Sequence, residues 1–136
     1  MYFKFLHHYI SIARIDHWFK NIFVLPGLVF AIVFSTSYIF KLNDLIFFTL
    51  GIFSICLIAS ANYSINELLD AEFDKFHPIK KYRSAATGFI KTKWALFQYF
   101  LLSFCGVFLA TIHNKQFLLW SIIFLVMGII YNVKPF

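Results

Sequence analysis

Asn66, Asp70 and Asp74 recur at four-residue intervals where a long apolar run gives way to the segment ANYSINELLDAEFDKFHPIKKYRSAATG. A helix turns 100° per residue, so each step of four rotates the side chain only about 40°, and Asn62 carries the stripe one turn further back. This spacing predicts one helical face bearing Asn62, Asn66, Asp70 and Asp74. Two carboxylates and a carboxamide offer only hard oxygen ligands, a set that suits Mg²⁺ holding a diphosphate better than Zn²⁺ or iron. Lys75, His77, Lys80, Lys81 and Arg83 follow at once and could grip phosphate oxygens.

The elements that must carry this stripe are apolar. Of the 136 residues 61% are hydrophobic, 20 are Phe, and mean hydropathy is +0.78, well above the roughly 45–50% apolar content of soluble domains. Stretches at about 22–40, 45–63, 94–112 and 117–133 reach the roughly 17–25 residues that cross a hydrocarbon core as helix. The expected fold is therefore all-α, a polytopic transmembrane bundle of about four helices. A soluble chain of this size could not cover four such runs with 13% charged residues.

Net charge is +6, and the placement of the cations says more than their sum. Lys4, Arg14 and Lys20 precede the first span, Lys75, Lys80, Lys81, Arg83, Lys91 and Lys93 lie between the second and third, and Lys134 follows the fourth. Ten of the twelve cations thus fall on one side, leaving Lys41 and Lys115 for the other. The positive-inside rule puts both termini and the 64–93 loop in the cytoplasm of an integral inner- or plasma-membrane protein. Topology and phosphate chemistry account for these cations without a nucleic-acid partner. Cys56 and Cys105 sit inside predicted spans with no paired spacing and read as small packing residues. Arg14, Asp16, His17 and Lys20 interrupt the N-terminal region before the first apolar run, unlike a cleavable leader.

The opening YFKFLHHYISIARIDHWFKN mixes aromatics and cations, as expected of an amphipathic segment lying along the membrane surface. Pro26 and Gly27 predict a kink within span one. The short connections KLND and HNKQ predict antiparallel hairpins. Trp18, Trp94 and Trp120 fall near span ends, where interfacial belts form, and most Phe should face lipid or neighbouring helices. There is no low-complexity tract, soluble linker or repeat, so residues 1–136 form one membrane domain or part of one.

A charge at the centre of a bilayer costs roughly 2.5–3.5 kcal/mol on insertion scales, which makes an intramembrane acid a functional candidate. If span two ends near Tyr63, however, Asp70 and Asp74 ride on a solvated extension that could be no more than an exposed loop helix. The adjoining His-Pro-x-Lys-x-x-Arg cluster argues against that alternative. In these residues the chain resembles the UbiA superfamily of membrane prenyltransferases, whose first Asp-rich motif is Asn-x-x-x-Asp-x-x-x-Asp at the cytoplasmic end of the second helix. Asn66, Asp70 and Asp74 match it. The branch of decaprenyl-phosphate phosphoribosyltransferases is most similar, with His-Pro-x-Lys-x-x-Arg matched by His77, Pro78, Lys80 and Arg83, and Arg-x-x-x-Trp-x-Lys-Asn matched by Arg14, Trp18, Lys20 and Asn21.

The chain departs from that pattern at Glu67, where the family often has Asp, and at Ser84, where it usually has Pro. The second change is expected to loosen the loop that positions Arg83. UbiA proteins have about nine helices and a second Asp-rich motif in their second half, so the resemblance covers the N-terminal half of that fold. Tyr131, Asn132 and Lys134 look like the start of a stretch that family members carry onward, which suggests a truncated element and a second polypeptide as one way to complete the fold.

The resemblance implies a Mg²⁺-dependent transfer in which diphosphate leaves carbon. In the phosphoribosyl branch the donor is phosphoribosyl diphosphate and the acceptor a polyprenyl phosphate in the bilayer. Asp70 and Asp74 would meet Mg²⁺, Asn66 would orient the diphosphate with Asn62 beside it, Lys80 and Arg83 would hold the donor's phosphates, and Lys20 would meet the lipid phosphate. His77 is either a proton-transfer group or a loop residue capping the motif helix. Two alternatives stay open: an aromatic prenyltransferase using a polyprenyl diphosphate, and a membrane assembly or lipid-binding fragment without catalysis.

Overall fold

The computed structural model describes residues 2–35 and 41–132, with side chains from Leu6 onward. The elements are α1 (Tyr2–Ala13), a 3₁₀ segment (Ile15–Phe23), α2 (Val24–Phe34), α3 (Leu42–Asp74), a 3₁₀ turn (Lys80–Tyr82), α4 (Thr92–Thr111) and α5 (Lys115–Asn132). The fold is all-α, with no strand among the described residues. Four stretches are long and apolar enough to cross a membrane: Leu6–Phe34, Leu42–Asp74, Thr92–Thr111 and Lys115–Asn132.

The first of these differs from the expected span at 22–40, whose last residues, 36–40, lie outside the described residues, as does Lys134. It begins sixteen residues earlier and is broken in the middle. Arg14 takes a left-handed conformation, φ 47°, that ends α1. Nor does α1 only lie on a surface. Tyr9 and Ile12, one turn apart, are buried with Ala95 of α4 and pack on Leu68 of α3. Pro26 falls in the first turn of α2, where its missing N–H breaks no helical hydrogen bond, so the interruption precedes the proline instead of following from it.

At 33 residues α3 is about 50 Å long, against a hydrocarbon core of roughly 30 Å. It does not end near Tyr63 but continues to Asp74, four residues short of Pro78. About the last three and a half turns therefore extend beyond a span begun at Leu42, and Asp70 and Asp74 ride on that extension.

Without a hydrophobic driving force between helices in lipid, close packing needs small residues. On α4 the buried positions Ala95, Tyr99, Ser103, Gly106 and Ala110 repeat at three- and four-residue steps, while Phe97, Phe100, Phe104 and Phe108 cover the exposed side. Gly106 meets α3 so closely that a Cβ would come 2.6 Å from Ile58 Cγ1, and Ser54 Oγ donates to Gly106 O at 2.7 Å. Asn114 Oδ1 accepts from Phe117 N at 2.8 Å and caps α5 after the expected short connection. The helices α3, α4 and α5 thus run up and down as successive neighbours, which brings the ends of α3 and α5 and the start of α4 together.

Candidate functional site

The 3₁₀ segment lies antiparallel along α3 and is tied to it rung by rung. Arg14 Nε pairs with Glu67 Oε2 at 3.6 Å, the His17 ring stands edge-on to Tyr63, Trp18 Nε1 donates to Ser60 Oγ at 2.8 Å, and Asn21 Nδ2 donates to Cys56 Sγ at 3.1 Å. Cys56 is buried as a packing residue and serves as an acceptor as well. The Arg-Trp-Lys-Asn stretch is therefore held by the motif helix, and Lys20, on the exposed side, stands beside it.

At the far end of α3 the chain turns back. Asp74, 4% exposed, accepts from Arg83 Nη1 at 2.7 Å and lies 4.0 Å from Lys80 Nζ. His77 Nδ1 accepts from the backbone N–H of Ile79 and of Lys80, both at 3.2 Å, so it caps the turn that presents Lys80 instead of the motif helix itself. Ser84 does not leave the loop loose. It is buried and shares a 3.0 Å hydrogen bond with His8 Nδ1, while Thr87 Oγ1 donates to the carbonyls of Arg83 and Ser84 at 3.1 and 3.0 Å. These side-chain bonds replace the stiffness that a proline would give.

Glu67 carries more than the sequence suggested. It is 3% exposed, and besides Arg14 it takes the backbone N–H of Ala85 at 3.4 Å, joining the N-terminal segment to the loop that bears Arg83. Ser60, Glu67 and Asp74 are all buried and seven residues apart, a spacing that returns to within about 20° of one direction. That heptad was the signal available in the sequence.

Asn62 and Asn66 point elsewhere. They line a cleft of about 380 Å³ between the 3₁₀ segment, α3 and α5, together with Asn21, Tyr63, Gly128 and Asn132. Asn62 Nδ2 donates to Phe124 O at 3.2 Å, and its carboxamide rests on Gly128, where a Cβ would come within 2.1 Å of Asn62 Cγ. Between cleft and basic loop, one turn from each, sits the half-buried Asp70. The four-residue stripe is thus not one face but a spiral whose steps of about 40° add to about 120° from Asn62 to Asp74.

A second cleft of about 360 Å³, lined by Leu25, Leu28, Phe47, Gly51, His113 and Phe117 among others, lies nearer the opposite end of α3. Its residue Gly51 is about 30 Å along the helix axis from Asp70.

Among the described residues no three His, Cys, Asp or Glu side chains converge as a metal-binding group. Mg²⁺ is commonly held by one or two carboxylates, substrate phosphates and waters, so the hard oxygens of Asp70 and Asp74 fit that ion by donor chemistry, with Asn66 one turn from Asp70 on the cleft side.

Two curated proteins are similar to this chain over part of their length. An uncharacterised protein of Sinorhizobium fredii, y4nM, is 28% identical over 126 residues, 93% of this chain and 23% of its own length. A decaprenyl-phosphate phosphoribosyltransferase of Corynebacterium glutamicum is 33% identical over 79 residues, 58% of this chain and 23% of its own. The chain thus spans about a quarter of the length of the curated relatives it matches. No solved structure matches it. Residues 23–136 match the UbiA prenyltransferase family, and on a match over that much of its length the chain belongs to that family of membrane transferases.

Proposed function

We propose that this chain carries the donor-diphosphate half of a Mg²⁺-dependent transferase that moves 5-phosphoribosyl from phosphoribosyl diphosphate to a polyprenyl phosphate. The observation that carries this reading is the return of Lys80 and Arg83 onto Asp74. A basic turn folded against an acid gives a diphosphate both of the partners it needs, cations for its oxygens and hard ligands for its counter-ion. The identity shared with the Corynebacterium enzyme supports the same choice of donor.

In this mechanism the bond between the anomeric carbon and the diphosphate oxygen breaks, the leaving group keeps the electron pair, and an oxygen of the lipid phosphate forms the new bond. The attacking oxygen is already anionic, so no general base is required and His77 serves by holding the turn. Bound at Asp70 and Asp74, Mg²⁺ would neutralise charge growing on the leaving diphosphate. Arg83, its guanidinium oriented by Asp74, and Lys80 hold phosphate oxygens, Asn66 orients the diphosphate, and exposed Lys20 meets the lipid phosphate at the cytoplasmic interface. Both termini, the end of α3 and the 75–91 connection lie on the cytoplasmic side in this reading.

The aromatic prenyltransferase reading uses the same motif with a different donor. Membranes containing the protein, supplied with labelled phosphoribosyl diphosphate or labelled polyprenyl diphosphate, distinguish them. Label from the first entering a lipid product is expected. Label from the second alone moves the protein to the aromatic class, and label from neither refutes both.

A further inference from the structure

We propose that the cleft between the 3₁₀ segment, α3 and α5 is a sugar-hydroxyl subsite, and that Asn21, Asn62 and Asn132 set the donor's identity. The inference rests on the transferase reading above and deepens it, because the motif alone serves any diphosphate.

Four carboxamides, from three separate elements, converge on one cleft of about 380 Å³: Asn21, Asn62, Asn66 and Asn132. Each is neutral and offers two N–H donors and a carbonyl acceptor, the pairing that a vicinal diol can satisfy on both sides. Their existing bonds leave capacity over. Asn21 gives one N–H to Cys56 Sγ, Asn62 one to Phe124 O and Asn132 one to Gly128 O at 2.6 Å, while the buried Oδ1 of Asn62 has no partner among the described residues. Hydroxyls can take up the remaining N–H donors and carbonyl acceptors of these amides where an isoprenoid cannot.

Position agrees with chemistry. Asn66 lines the cleft and Asp70 follows one turn later, so a diphosphate at the carboxylates places whatever it is esterified to beside these amides. The volume lies near the small end of ligand pockets, roughly 300–1,000 Å³, and Phe124, Met127 and Tyr131 add apolar walls beside the amides. Gly128 is part of the device, since any side chain there would displace the Asn62 carboxamide. Asn132, by contrast, bonds among the described residues within its own helix, so its replacement perturbs the cleft without breaking a described bond between helices.

The test compares the binding of three probes, each with Mg²⁺, to the protein in lipid nanodiscs: inorganic diphosphate, phosphoribosyl diphosphate and geranyl diphosphate. The wild type is expected to prefer phosphoribosyl diphosphate to both others by at least about tenfold, one to two hydrogen bonds' worth. Asn62→Leu and Asn132→Ala should each reduce that preference by about threefold or more, the loss of phosphoribosyl diphosphate affinity exceeding any loss of inorganic diphosphate affinity, and an unchanged unfolding midpoint in detergent certifies their folding. Equal wild-type affinity for phosphoribosyl and inorganic diphosphate overturns the subsite and leaves the diphosphate site standing. Stronger binding of geranyl diphosphate overturns it in favour of the aromatic class. Variants that weaken all three probes alike reduce Asn62 and Asn132 to packing, and absence of binding by any probe sinks the transferase reading together with the subsite.

Discussion

If Asp74 works by holding Arg83, then removing either partner should do much of the damage of removing both. The contact is a charge-assisted hydrogen bond of 2.7 Å, with the Asp74 side chain 6% and the Arg83 side chain 25% exposed. Bonds of this kind contribute about 1.5–3 kcal/mol net, which corresponds to roughly ten- to hundredfold in a rate or equilibrium constant. Asp74→Asn and Arg83→Gln are each expected to lower kcat/KM by about a hundredfold, the effect of losing one electrostatic stabiliser. The double variant should then fall short of the product of the two by roughly ten- to hundredfold. Lys80 provides the contrast: at 4.0 Å from Asp74 and 43% exposed, it should combine with Asp74→Asn within about two- to threefold of additivity. Initial rates of label transfer from phosphoribosyl diphosphate into extracted lipid, normalised to folded protein, supply the cycle. A double variant whose loss equals the product of the single losses refutes the claim that Asp74 orients Arg83.

Asp70→Asn preserves shape and removes a metal-binding charge, and should reduce turnover at least about a hundredfold; wild-type turnover would remove Asp70 from the metal site. Gly106→Ala forces a methyl to 2.6 Å from Ile58 Cγ1 and stretches the Ser54–Gly106 hydrogen bond, so α3 and α4 must part by about 1 Å. Overpacking of this size costs about 1–3 kcal/mol, exceeding the roughly 1 kcal/mol by which alanine favours a helix over glycine, and an unchanged unfolding midpoint in detergent would show that the helices are not held at this point. Glu67→Gln takes the charge from a buried partner of Arg14, and about 1–3 kcal/mol of stability should go with it, less than a fully buried pair because Arg14 is 21% exposed. Glu67→Ala, which also removes the acceptor for Ala85 N, should speed tryptic cleavage in the Lys80–Arg83 turn, whereas wild-type proteolysis would detach the loop from that residue.

What the sequence made plain was whatever depends on local composition. The apolar spans of α3, α4 and α5 follow from runs that have no other use, although α3 continues past its run to Asp74, and Asn114 and Pro78 mark turns by their own chemistry. The first span was misplaced because its content is not local. Tyr9 and Ile12 are an ordinary interfacial pair until Ala95 and Leu68 cover them, and the break after Ala13 is set by the left-handed Arg14, a residue with no intrinsic call for that conformation.

The same distinction explains the divided site. A four-residue repeat resembles a face over two steps, but its residual rotation of about 40° accumulates. By Asp74 the stripe has left the cleft and entered the territory of Glu67, which stands where the family often has Asp. Two contacts then decide what each half can do, and neither is written in a local pattern. Arg83 reaches Asp74 across nine residues because the turn between them is pinned by His77, Ser84 and Thr87. Asn62 finds Phe124 O across sixty-two residues because Gly128 lacks a side chain. A glycine in a membrane helix has many explanations. Only the register of α5 on α3 selects the one in which its missing Cβ is the space for a carboxamide, and that register turns the neutral half of the stripe toward the cleft while Asp74, in the charged half, meets the Lys80–Arg83 turn.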